Sequence, residues 1–82
     1  MRLDKFLKVS RIIKRRTIAN DACDNGRVAI NSKVAKAGAE VKIGDVISIN
    51  FGDKTVSFKV LQIFTAPKKD ETEQMFEVIS NG

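Results

Sequence analysis

The sequence predicts an α+β fold in which two packed N-terminal helices precede a small, mainly antiparallel sheet. Three observations point there. Up to residue 25 the apolar residues recur at helical spacing. From Arg27 onward they fall into short runs of β-forming residues, in part alternating with polar ones. Tight turns built from Asn, Asp, Ser and Gly separate those runs.

The first helix is expected over residues 2–10, where Leu3, Phe6 and Leu7 at i, i+3 and i+4 make one apolar stripe. Arg2, Lys5 and Lys8 line the other side and, taken alone, read as an ordinary solvated face. Ile12 and Ile13 pin the connection to the core. A second helix is expected over residues 16–25, with Thr17 or a neighbour as cap and Gly26 as the residue that stops it. Ile18, Ala19, Ala22 and Cys23 form its buried stripe, and the two alanines let the helices approach closely. Cys23 reads as a small core residue rather than a reactive thiol, because no His exists to activate it.

The sheet then follows in pieces. Val28–Ile30 is a strand, Asn31-Ser32 a turn, residues 33–35 a brief return, and residues 36–40 an irregular loop around Gly38. Val41 and Ile43 lead to a Gly44-Asp45 turn, and residues 46–51 form a longer strand that ends at a Gly52-Asp53 hairpin turn. Residues 55–64 return, with Val56, Phe58 and Val60 alternating against Ser57 and Lys59 as a half-buried strand should. Residues 65–74 read as a mobile polar loop, residues 75–79 close the sheet, and the last three residues are expected to fray.

A chain of 82 residues makes one domain with one small core, here residues 1–82, with the helices and first strands over about 1–50 and added strands at about 55–64 and 75–79. With 43% hydrophobic and 30% charged residues it is a folded globular chain, with no apolar run long enough to span a membrane and no apolar signal core. It is expected in the cytoplasm. One Cys and no His exclude an internal disulfide, a Cys and His zinc site, and a Ser, His and Asp triad. Asp21 and Asp24 lie three apart on a helix, but both read as solvent-facing. No catalytic residue, metal or cofactor is expected, and the chain is read as a binding protein rather than an enzyme.

Charge is where the sequence speaks most clearly. Residues 1–33 hold nine Lys and Arg against three acids, whereas residues 34–82 hold six against seven. The excess is therefore localised, and a polyanion is the natural partner. Lys14, Arg15 and Arg16 stand at the start of the second helix, where the helix dipole makes a positive charge cost a few tenths of a kcal/mol, roughly. A phosphate backbone would favour them there, since guanidinium groups and free helix N–H groups bind the same anion. A tolerated exposed cluster is the plainer alternative.

Four separated pieces carry a family resemblance: Arg2-Leu3-Asp4-Lys5-Phe6-Leu7; Lys14-Arg15-Arg16-Thr17-Ile18-Ala19; Asn25-Gly26-Arg27-Val28-Ala29-Ile30-Asn31; and Val41-Lys42-Ile43-Gly44-Asp45-Val46-Ile47. In this order and spacing they resemble the RNA-binding domain first described in the fourth small-subunit ribosomal protein. One departure is visible, Asn31-Ser32 where the family has Asn-Gly, so another turn type is expected there. The resemblance implies two helices packed on a small twisted sheet (an αL-type motif) whose basic faces grip structured RNA. It assigns phosphate contacts to Arg2, Lys14, Arg15 and Arg16, with Lys5, Lys8, Arg11, Arg27 and Lys33 at the margin, and makes Asp4 a structural acid that orients an Arg.

Over its whole length the chain looks most like the small stand-alone bacterial branch of that family, the RqcP-type factors of ribosome-associated quality control. That likeness implies binding of large-subunit rRNA and peptidyl-tRNA on stalled large ribosomal subunits. It also implies support for an alanine-tailing factor of the RqcH type, and a monomer when off the ribosome. A heat-shock-type rescue factor, an assembly factor, a protein-binding adaptor and a detached helper of an RNA-modifying enzyme are the alternatives. The mode of binding is expected to be recognition of RNA shape and backbone, because a chain without Trp or Tyr has little from which to build a stacking platform. Phe51 is the one candidate for stacking, and its expected place is the core end of a strand.

Overall fold

Helix α1 (Leu3–Val9) starts where the chain stops pairing with a loop rather than at a side-chain cap. Arg2 forms an isolated antiparallel bridge with Glu40, and Val41 donates its N–H to the Met1 carbonyl at 2.9 Å. The first free N–H groups of α1, those of Leu3 and Asp4, donate to the carbonyls of Ala39 and Ala37 at 2.8 and 3.2 Å. The irregular loop expected over residues 36–40 thus has a structural task, because its carbonyls satisfy the first two N–H groups of a helix whose N-cap side chain makes no capping bond.

Helix α2 (Arg16–Asp24) ends in a Schellman arrangement: Gly26 N–H reaches Cys23 O and Arg27 N–H reaches Ala22 O, both at 3.0 Å, with Gly26 at φ +75°. Its N-cap is Arg15, not Thr17, and no side chain accepts from its first N–H groups. The computed structural model describes residues 1–81, in which the five strands that follow α2 form one antiparallel sheet. Strands β1 (Val28–Ile30), β2 (Lys33–Val34), β3 (Val46–Asn50), β4 (Thr55–Val60) and β5 (Phe76–Asn81) lie in the order β2-β1-β3-β4-β5.

Register explains the core. Val28 pairs with Ile49, Ile30 with Ile47, Ile49 with Val56 and Ile47 with Phe58, so these apolar residues share one face. Val28, Ile47, Ile49, Val56 and Phe58 join Leu3, Phe6 and Leu7 of α1 and Ala19 and Cys23 of α2 in one buried cluster, against which the half-buried Ile30 packs. On the opposite face Ser48 pairs with Ser57, their hydroxyls 2.9 Å apart. The α+β expectation therefore holds, with both α-helices in the first third of the chain. Among the described residues no helix is long and apolar enough to cross a membrane.

Several expected boundaries shift, each for a local reason. Strand β4 stops at Val60 rather than residue 64, because Leu61 and Gln62 both send their N–H groups to the single carbonyl of Met75 and end the ladder. Residues 65–74 are less loose than their composition suggests: a 3₁₀ turn, Thr72–Gln74, closes them, and Thr72 and Met75 are buried. Strand β5 begins at Phe76 and runs through Asn81, so Ser80 and Asn81 pair with β4 instead of fraying; the same expectation for Gly82 lies outside the described residues. A bulge between Ser57 and Phe58 shifts the β4–β5 register, and Val78 and Ile79 are both exposed.

Two adjacent turn residues stand in the left-handed region where glycine or asparagine is usual. At the β1–β2 turn both Asn31 (φ +50°) and Ser32 (φ +71°) are left-handed, the conformation of a type I′ hairpin. The turn is therefore of the kind that Asn-Gly favours, although Ser32 stands in place of the glycine, against the expectation of another type. Asn31 supports it by accepting from Val46 N–H at 3.0 Å and donating to Asp45 at 3.1 Å. Ser32 makes no such bond. Replacing it with glycine should relieve about 1 kcal/mol of steric cost, read as a higher urea midpoint at unchanged slope. An unchanged or lower midpoint would mean that the turn is not strained at this position.

Candidate nucleic-acid interface

At the junction of the two helices a buried carboxylate gathers the cations. Asp4, on the first turn of α1, is 2% exposed and accepts five hydrogen bonds. Arg2 donates from Nε and Nη2 at 3.1 and 3.3 Å, Arg16 from Nε at 3.3 Å, Asn20 from its amide at 3.3 Å, and Lys5 from its backbone N–H at 2.8 Å. Burial alone would raise the carboxyl, but the donors of Arg2, Asn20, Arg16 and Lys5 outweigh it and hold its pKa below the ordinary 3.8. Asp4 is therefore the structural acid that the resemblance implied, and it orients two arginines rather than one.

Both arginines stay half in solvent, their side chains 54% and 48% exposed. Arg16 spends only Nε on Asp4, so its terminal amino groups remain free to bind a phosphate in the bidentate manner of a guanidinium. Beside the pair, Asp4, Arg16, Thr17, Asn20 and Asp21 line a shallow hollow of about 280 Å³.

The other expected contacts divide into three places. Lys14 and Arg15 are exposed immediately before α2, whose first turn contains no acid and whose N–H groups lack a side-chain cap. Lys8 and Arg11 are exposed at the far end of α1, and Arg11 stands at φ +65° in the C′ position where glycine is usual. Arg27 follows α2, and Lys33 lies on the edge strand β2. The structure thus joins Arg2 to Arg16 through the Asp4 carboxylate, sets Lys5, Lys14 and Arg15 next to them along the chain, and among the described residues ties Lys33 to the helices by no side-chain hydrogen bond or ion pair.

Two expectations about apolar residues fail. Ile18 is not part of the buried stripe of α2, being 54% exposed, and Phe51 is not a core residue, being 46% exposed. Ile18 falls one residue short of the Ala19 and Cys23 face, and Phe51 lies past the end of β3, where its N–H pairs with Lys54 O at 2.8 Å inside the hairpin loop. Together with Ile12, Ile13 and Arg27 they border a hollow of about 320 Å³. Asn20 was also missed, although it sits four residues after Arg16 and so on the same side of α2.

Cys23 behaves as expected of a small core residue: it is fully buried, and burial, followed by the charges of Asp4 and Asp24, pushes its thiol up to about 11. Asp21 and Asp24 are exposed. Among the described residues no three Cys, Asp or Glu side chains gather where a metal ion could sit.

The model of one family, the S4 domain, matches residues 1–47, the segment that contains both helices, the Asp4 cluster and the first two strands. The chain belongs to the S4 domain family. A relative from Halalkalibacterium halodurans, an RQC P-site tRNA stabilizing factor, is 50% identical over 78 residues, covering 95% of this chain and 89% of its own. Among solved structures, trimeric heat shock protein 15 of Vibrio cholerae superposes with a TM-score of 0.87 at 27% identity, over 98% of this chain and 82% of that one. The solution structure of the hypothetical protein HP1423 gives 0.83 at 35% identity, over 98% of each. This S4 domain thus extends past its matched segment into strands whose arrangement its structural neighbours share.

The Asp4 cluster sets an acid limit. Because its folded pKa lies below the unfolded value, its contribution is fully present above pH 4 or so and is lost as pH falls through the folded pKa. Asp4→Asn should therefore cost about 2 kcal/mol at pH 7, with the difference from the parent protein shrinking below about pH 4; urea unfolding across that range measures it, and a pH-independent difference would exclude the ionised carboxylate as its source. Arg11 offers the opposite trade. Arg11→Gly should raise stability by about 1 kcal/mol through relief of the left-handed backbone while weakening RNA binding, and melting and binding on the same preparation would show both.

Proposed function

We propose that the protein binds large-subunit rRNA and peptidyl-tRNA on obstructed large ribosomal subunits, and that it supports an alanine-tailing factor there. The relative named for stabilizing P-site tRNA in quality control, half identical to this chain, supports the setting. The pairing of Arg2 and Arg16 on Asp4 supports the chemistry. A guanidinium held at its Nε keeps its orientation, so binding phosphate costs less side-chain entropy than it would for a free arginine.

Recognition in this reading is of backbone and shape. The cations of α1, of the segment before α2 and of α2 itself would neutralise several phosphates, and the uncapped N-terminus of α2 would add N–H donors to one of them. Charge alone does not distinguish a stalled subunit from any other rRNA surface. Simultaneous contact with rRNA and with a tRNA present only on the obstructed particle would do so, because two weak contacts on one rigid body multiply. The acidic and neutral remainder of the chain is left for the tailing factor. Heat-shock-type recognition of obstructed subunits is a second reading, supported by the close superposition on heat shock protein 15.

Binding to rRNA fragments and to tRNA over a salt series tests the chemistry. The double variant Lys14→Ala, Arg15→Ala should lower the slope of log affinity against log salt by about 2, one unit for each phosphate no longer neutralised, with folding unchanged because both residues are exposed. Weak, salt-insensitive RNA binding would favour the protein-binding adaptor instead. Recovery of the tagged protein from cells tests the setting: free large subunits with peptidyl-tRNA support it, and small subunits or assembly precursors would replace it.

A further inference from the structure

We propose that the hollow bordered by Phe51 receives a single unpaired base of the bound RNA, stacked on the phenyl ring. The inference rests on the RNA-binding reading above and adds to it a contact with a base, where that reading uses only backbone and shape. Its starting point is an oddity of burial. In a small protein with only five Phe, burying an aromatic ring is the largest apolar gain available, yet Phe51 is left 46% exposed, and the branched side chain of Ile18, 54% exposed, borders the same hollow.

The surroundings say what kind of group would cover them. Aliphatic side chains of Ile12, Ile13 and Ile18 give the hollow apolar walls, and Arg27 stands in its rim. Arg27 is the cation of the lining, and Lys14 and Arg15, both exposed, follow Ile13 in the chain. An apolar slot with an arginine in its lining, next along the chain to exposed cations, suits a ligand that is planar and apolar in its face but anionic in its connections, which describes a nucleotide rather than an apolar peptide. At about 320 Å³ the space is at the small end for ligand sites, enough for one heterocycle and not for a helix.

Asn50 supplies a polar edge. It also lines the hollow; its Oδ1 accepts from Gly52 N–H at 2.8 Å, which fixes the amide and leaves Nδ2 as a donor for a base edge. The platform is also stiff. Asn50 N–H is bonded to Arg27 O and Phe51 N–H to Lys54 O, each at 2.8 Å, so the ring is carried by a paired hairpin end.

Two RNA hairpins, one fully paired and one identical but for a single bulged adenosine, test the proposal at fixed salt. The parent protein should prefer the bulged hairpin by about tenfold, the usual worth of one base stacked on an aromatic ring. Phe51→Ala should abolish that preference with affinity for the paired hairpin unchanged, and Phe51→Trp should retain it. The exposed position predicts no loss of folding for either, which a urea melt checks. Equal binding of the two hairpins by the parent protein overturns the base site while leaving backbone recognition standing. Failure to bind either removes both. Should Phe51→Ala leave the RNA preference intact and instead release a protein from tagged particles, the hollow belongs to a protein partner and the base site is wrong.

Discussion

The ion cluster on Asp4 is the constraint from which the rest of the interface follows. A carboxylate 2% exposed is costly unless its charge is compensated and its lone pairs are filled, and here five donors do both. Those donors come from both helices and from the residue that caps the first. The same bonds that keep the acid ionised therefore fix how the helices meet and where two guanidinium groups stand. Loss of the carboxylate would free the arginines without removing them, so their placement and not their number is what Asp4 contributes.

Support for this cluster reaches well along the chain. The start of α1 is held by carbonyls of Ala37 and Ala39, and Ala37 is itself buried, so a loop without regular structure determines where Asp4 begins its helix. Gly26 then closes α2 and passes the chain into β1, whose register with β3 carries Asn50 and Phe51 to the side of Arg27. The Asp4 cluster and the apolar hollow lie at two ends of the same basic segment, residues 11–16. That continuity is why one RNA could meet both.

Several residues in this region stand where stability alone would not place them. Arg11 adopts a left-handed backbone that favours glycine, and Arg15 and Arg16 occupy the positive end of a helix dipole. Ile18 and Phe51 expose apolar surface to water. Each departure is individually small; Arg11, Arg15, Arg16 and Ile18 follow closely along one stretch of chain, and Ile18 shares a hollow with Phe51. Local preferences given up along a basic segment suit a surface that meets a partner.

By itself the sequence determined both helices, the change to β structure at Arg27, the alternation of Val56, Phe58 and Val60, and the confinement of the excess positive charge to residues 1–33. All of these follow from periodicity and composition over neighbouring residues, and the four motif pieces are local as well. The exposure of Ile18 and Phe51, the end of β4 at Val60, and the buried turn at Thr72 were decided only by tertiary structure. The physical reason is that burial at the end of an element depends on what packs across from it, and hydrogen bonds such as those that converge on Met75 join segments far apart in the chain. In the same way Asp4 was legible as an acid in a motif, but its second arginine, twelve residues on, was brought to it only by the packing of two helices.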